Sequence, residues 1–144
     1  MNSTALAPGN RNLDLGLAIL RIVAGVVFLA HGAQKLFVFG LAGVTGGFQG
    51  MGVPMPSVTA PLVSAVEFLG GIALILGLLT RLAAVGLAIN MLGAILLVHL
   101  AAGFFLPNGY EFALTLCAAS VALALTGPGA FSLDAAIGRR RARR

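Results

Sequence analysis

From Asn12 to Thr126 the chain is built of long apolar stretches, broken by so few charged or histidine side chains that they can be named: Asp14, Arg21, His31, Lys35, Glu67, Arg81, His99 and Glu111. Crossing a hydrocarbon layer of about 30 Å takes roughly 20 apolar residues in a helix rising 1.5 Å each. A surface that faces water needs charge instead, about 25% of residues in a soluble domain. Here 9% are charged and 59% hydrophobic. The 144 residues suffice for one domain, and that domain belongs in a bilayer.

The stretches read as four helices at about residues 13–39, 58–80, 82–102 and 110–126, giving an all-α integral membrane four-helix bundle within residues 13–138. Residues 1–12, with Pro8 and Gly9, read as a flexible tail, and Asn12 or Asp14 as the cap of the first helix. The segment Gly40 to Ser57 carries Gly46, Gly47, Gly50, Gly52, Pro54 and Pro56. It reads as a loop too broken to cross the membrane, yet apolar enough, through Phe48, Met51, Val53 and Met55, to lie on its surface. Pro61 is tolerated in the first turn of the second helix. Gly127, Pro128 and Gly129 stop the fourth, and residues 130–137 read as a short interfacial segment. Similar surroundings of His31 and His99, and of Glu67-Phe68 and Glu111-Phe112, suggest two helical hairpins of similar plan.

Four crossings put both termini on one side. Arg11, Arg81 and the basic tail at residues 139–144 fall there, while the opposite loops contain no Lys or Arg. The positive-inside bias makes that side cytoplasmic, in a multi-pass protein of a bacterial-type plasma (inner) membrane. The net charge of +5 is concentrated in Arg139, Arg140, Arg141, Arg143 and Arg144. That clustering argues against nucleic acid, whose readers spread basic groups over a folded face, and for the lipid bilayer as partner, with attraction to anionic lipid as a second role. The first apolar run is too long, and too interrupted by Arg21, His31 and Lys35, for a cleavable signal. Cys117 is alone, so it forms no disulfide within the chain and no Cys-x-x-Cys pair.

Ionisable groups cost roughly 2.5–3.5 kcal/mol each at the centre of a membrane helix, so they turn inward and find partners. Measured from the cytoplasmic helix ends, His31 and His99 lie at roughly 26 Å and Glu67 and Glu111 at roughly 20–23 Å, with Lys35 a turn beyond His31. These five form an outer cluster drawn from all four helices. Arg21 and Asn90 form a lower level at roughly 12 Å. Arg21, His31 and Lys35 share one arc of the first helix. Gly25, Gly32, Gly70, Gly71, Gly77, Gly86 and Gly93 allow close helix approach.

Simpler readings stand beside these. Arg21 can pair with Glu67 or backbone, Lys35 and Glu111 can reach the surface, His99 can sit at the interface, and Asn90 can bond between helices. No Gly-x-Ser-x-Gly, His-Glu-x-x-His or P-loop occurs. Two histidines at one level could ligate haem axially, and the histidines and glutamates together could hold a single metal ion. A polar pocket under an apolar loop suits a small redox-active or protonatable molecule that enters from lipid.

The order Arg21, His31-Gly32, Lys35, then Glu67-Phe68, Gly70-Gly71, Gly77-Leu78, Thr80-Arg81, then His99, Gly109-Tyr110-Glu111-Phe112, and finally Gly127-Pro128-Gly129 with Ser132-Leu133-Asp134 resembles the DoxX family of small four-helix membrane proteins over about residues 15–135. The resemblance implies a membrane oxidoreductase, or a subunit of one, linked to a quinone. Thiol-redox relatives rely on cysteines absent here. In that setting Glu67, His31 and Glu111 are the candidate catalytic residues, with Arg21, Lys35, His99 and Asn90 binding substrate. Glutamates would carry the protons that accompany two-electron quinone chemistry, histidines would hydrogen-bond the carbonyl oxygens, and Lys35 and Arg21 would favour developing negative charge. The electron donor is not in this chain, so a soluble or membrane redox partner or a bound cofactor is required, and a homo-oligomer stays open. The competing reading is non-enzymatic: a proton-coupled carrier, or a membrane anchor for a soluble redox partner.

Overall fold

A computed structural model describes residues 10–144. The flexible tail expected at the N-terminus falls mostly on residues 1–9, outside the described residues, while residues 11 and 12 already belong to a helix. All regular structure among the described residues is helical: α1 (Arg11–Ala33), α2 (Gly40–Gly50), α3 (Pro56–Leu76), α4 (Thr80–Ala94), α5 (Glu111–Thr126) and α6 (Leu133–Ala142). Alpha-helix gives way to π-helix at Gln34–Phe39 after α1 and at Ile95–His99 after α4, the latter running into a 3-10 turn at Leu100–Ala102.

Asn10, rather than Asn12 or Asp14, caps α1, its carboxamide oxygen accepting from the backbone N–H groups of Asn12 (3.1 Å) and Leu13 (3.4 Å). The helix therefore starts earlier than the sequence suggests. Three helical runs are long and apolar enough to cross a membrane: Arg11–Gly50 (40 residues), Pro56–Leu76 (21) and Thr80–Ala102 (23). The fourth apolar helix, Glu111–Thr126, is shorter, at 16 residues.

The expected loop at Gly40–Ser57 is largely a helix. Gly40, at φ +69°, breaks the line of α1, and the chain then re-enters a helix up to Gly50. Glycine disfavours helix in isolation; here Val44 is buried and α2 packs on α3, so tertiary packing overrides propensity. At the other end, Arg139–Arg141 of the basic tail lie within α6, and Ser132 caps that helix by accepting from Ala135 N–H.

The most extensive packing joins α1 to α3 and α4 to α5, and α3 against α4 bridges the two pairs. Glycines set the first seam. A methyl group on Gly32 would collide with the Phe68 backbone, and one on Gly71 with the Leu29 backbone, so the two helices meet backbone to backbone as small residues permit in membranes. Gly70 plays a milder version of this role against Leu87 of α4. Phe28, Leu74, Leu87, Leu116 and Leu123 fill the core between the pairs.

One end of the bundle is tied by polar groups. The Asp134 carboxylate of α6 accepts from Leu79 N–H (2.8 Å) and Thr80 N–H (3.0 Å), capping α4 from a distant part of the chain. Asp134 N–H donates to the Gly77 carbonyl (2.9 Å), and Asp14 of α1 accepts from Ala130 N–H (2.8 Å).

Candidate functional site

Arg21 belongs to that tied end. Almost fully buried, it donates to the carbonyls of Leu74, Ile75 (2.7 Å) and Phe131 (2.8 Å). Leu74 and Ile75 lie in the last turn of α3, where carbonyls lack intrahelical partners and a cation is favoured; the Leu74 carbonyl also accepts from Gly77 N–H at 3.2 Å. Of the two simpler readings of Arg21, pairing with backbone is the one observed. It does not line the cavity described next.

Near the opposite end, between the two helix pairs, lies a cavity of about 760 Å³, within the range of small-molecule sites. Its wall is mostly apolar. Phe28 and Leu116 lie at its inner part, Phe48, Met51 and Val53 cover it from α2 and the turn that follows, and Phe112 faces it from α5.

The polar part of the wall is one connected group. Glu67, only 4% exposed, accepts from Lys35 Nζ at 2.5 Å and from Asn90 Nδ2 at 3.0 Å. Three elements contribute: the π-helical stretch after α1, α3 and α4. An acid buried in this way is tolerable because both its oxygens are matched, one of them by a cation. His31 and His99 line the same cavity. The His31 ring stands 6.1 Å from that of Phe112. His99 Nδ1 lies 2.9 Å from the Asn108 carbonyl oxygen; a carbonyl only accepts, so Nδ1 carries a hydrogen and Nε2 of the neutral ring is left as an acceptor.

The structure thus gathers Glu67, Lys35, Asn90, His31 and His99 around one space and leaves out Arg21 and Glu111. Glu111, in the first turn of α5, accepts from Leu106 N–H at 2.8 Å and so holds the loop between α4 and α5. Asn90 is not on a lower level with Arg21 but level with Glu67. The depth assigned to Glu67 assumed that its helix runs to residue 80, whereas the helix ends at Leu76 because Gly77 adopts φ +67°. Among the described residues no three His, Cys, Asp or Glu side chains converge to hold a metal ion.

The π-helical stretches were not legible from the sequence, although Lys35 and His99 both lie in them. Such stretches insert an extra residue per turn and recur at functional sites. The apolar wall residues Phe28, Phe112 and Leu116 carried no sequence signal that separates them from ordinary core.

Helices make up all the regular structure among the described residues, three of them are long and apolar enough to cross a membrane, and an ion pair lies at a largely apolar cavity; these are the features of a small membrane protein. The chain belongs to the DoxX family, whose model matches residues 16–100. It is 35% identical to a Bacillus subtilis protein named "Putative oxidoreductase CatD", covering 87% of this chain and 89% of that one. It is 36% identical to the Mycobacterium tuberculosis membrane protein Rv3486, over 84% of this chain and 80% of the relative. It is also 35% identical to the Escherichia coli inner membrane protein YqjF, over 88% and 95%. No solved structure matches it.

Proposed function

We propose that this chain is an inner-membrane oxidoreductase, or the membrane subunit of one, that exchanges electrons and protons with a quinone bound in the cavity. The observation that carries the reading is Glu67, buried yet held by Lys35 and Asn90 at the wall of a space large enough for a quinone ring. Reduction of a quinone to its hydroquinone takes two electrons and two protons. Glu67, a carboxylate in its pair with Lys35, is placed to take up protons supplied from the aqueous side and pass them one after the other to the ring oxygens, and the Lys35 ammonium offsets the negative charge that builds there before protonation. His31 and His99 contact the opposite part of the ring. Arg21 and Glu111 act on the scaffold. The electrons come from a partner redox protein, and the name of the Bacillus subtilis relative is consistent with this chemistry.

In this reading α5 is a fourth crossing and both termini face the cytoplasm. Asp14, Arg81 and the Gly127–Asp134 segment lie together at one end, which supports placing Arg81 and the C-terminal arginines on one side, with Lys35 apart from them at the cavity. Two Escherichia coli relatives are named inner membrane proteins.

The test uses the purified protein in lipid nanodiscs with membranes of its host as the source of the donor. Quinone should be retained by the wild type and by Glu67→Gln, while added protein should raise quinone reduction only in the wild type. Absence of quinone binding, or full activity in Glu67→Gln, would refute the proposal. Movement of a solute into proteoliposomes without any redox change would show a carrier in its place.

A further inference from the structure

The cavity is not sealed by helices on the side between α3 and α4. These two helices meet closely where Gly70 faces Leu87, and Glu67 is tied to Asn90 about one turn further along. Beyond that tie the cavity occupies the space between them. Several lining residues are also exposed, among them Met51 and Leu106 at the loop end of the cavity, and three lie on the flank formed by α3 and α4 with its π-helical extension: Leu62 of α3 at 59%, Ile89 of α4 at 66%, and Leu97 at 50%. A side chain that both lines a cavity and faces outward marks a mouth, and this mouth opens through the apolar surfaces of two membrane-length helices.

Two glycines keep the mouth wide. Gly86 and Gly93, expected from sequence to bring helices together, do not. A methyl group on Gly93 would meet nothing within 4 Å, and one on Gly86 only the tip of Val66 at 3.8 Å, yet both residues line the cavity. Glycine inside a helix weakens it, and here that weakening is not compensated by close packing. The missing side chains leave a gap, continuous with the cavity, that no protein group fills.

We infer that the ligand of this site is an amphiphile with a long hydrocarbon tail: its polar ring sits against Lys35, Glu67 and Asn90, and its tail leaves through the α3–α4 mouth past Gly93 into the bilayer. The inference rests on the quinone reading and narrows it to lipid-resident quinones carrying a polyisoprenoid or alkyl chain, as opposed to water-soluble ones. The polar group deep inside fits a carbonyl-bearing head. A uniformly apolar mouth gains nothing from a hydrophilic substituent and gains free energy from each methylene it shields.

The experiment compares two probes on the purified protein in nanodiscs, with empty nanodiscs subtracted: a tail-less benzoquinone and the same ring carrying a long alkyl chain. The wild type should hold the chain-bearing probe about tenfold or more tightly than the tail-less one. Gly93→Leu, whose Cβ meets no protein atom within 4 Å, should bring the chain-bearing probe down to the tail-less value and leave the latter unchanged, with Gly93→Ala in between. Gly16→Leu, on an open face of α1 outside the cavity, serves as the control and should bind both probes like the wild type. If the wild type holds both probes equally, or Gly93→Leu weakens both alike or neither, the portal is wrong and the quinone site stands. If the wild type holds neither, the quinone reading itself has failed. A cysteine at Ile89, in a Cys117→Ala background, that cross-links two copies of the chain would show the mouth closed by another subunit and would also overturn the inference.

Discussion

Replacing Lys35 by Met removes one half of a buried ion pair while keeping most of the side chain's bulk. The Glu67 side chain is 5% exposed and would retain only the Asn90 carboxamide, 3.0 Å away. Stripping the partner from a buried charge costs about 3–5 kcal/mol. Since 19% of the Lys35 side chain is exposed, solvent screening puts the expected value at the lower end, about 3 kcal/mol. At roughly 2–4 °C per kcal/mol for a chain of this size, the melting temperature should fall by roughly 6–12 °C. Glu67→Gln should cost less, about 1 kcal/mol, because the ammonium it strands is the less buried partner, 19% exposed against 5%, and the carboxamide can still bond to Asn90. The double variant Lys35→Met/Glu67→Gln should then be more stable than Lys35→Met alone, with a coupling energy of about 2 kcal/mol. Thermal unfolding of all four proteins in one detergent at one scan rate reads this directly. If Lys35→Met melts with the wild type, or the double variant is no better than Lys35→Met, Glu67 is not held as an ion pair and the reasoning about its protons is unsound.

Other expectations concern the scaffold. Arg21→Leu takes the guanidinium from the carbonyls of Ile75 and Phe131, while that of Leu74 keeps Gly77 N–H, at about 1–3 kcal/mol for a buried polar group left unpaired; the variant should fail to accumulate as monodisperse protein, and normal yield would contradict the role given to Arg21. Gly32→Val should disrupt the α1–α3 seam, because its side chain meets the Phe68 backbone, and fluorescence-detected size exclusion of a fusion should show aggregated protein. Asp134→Ala uncaps α4 and loosens α6, with a loss of about 1 kcal/mol; limited proteolysis should cut sooner after Arg139, Arg140 or Arg141 than in the wild type, whose α6 is pinned at Gly77, Leu79 and Thr80.

Much of the fold was legible because membrane burial demands a crude, long-range signal: uninterrupted apolar length. Helices near residues 13–39, 58–80, 82–102 and 110–126 each correspond to a helix in the structure. The stop at Gly127 was equally plain, since Gly127 takes φ +84°. The helix at Gly40–Gly50 was not legible, because local propensity argues against it and only packing on α3 supports it. Within the site, the chemistry was legible and the pairing was not. Glu67, Lys35, Asn90 and the histidines stood out as costly in lipid, but Arg21 and Glu111 stood out equally. Nothing in their spacing says that Arg21 closes the end of α3 or that Glu111 holds Leu106.

Sequence by itself determined that this chain is helical and membrane-embedded, and that a handful of ionisable side chains must find partners, because the cost of burying charge in hydrocarbon leaves no other outcome. Which partners they find was decided by tertiary structure. Helix ends shift by a turn at Gly77, π-helical stretches displace Lys35 and His99 around their axes, and glycines bring α1 onto α3 while holding a gap open beside α4. Each is a displacement of a few ångströms, smaller than any periodicity in the sequence can register and as large as the difference between an ion pair and an isolated charge.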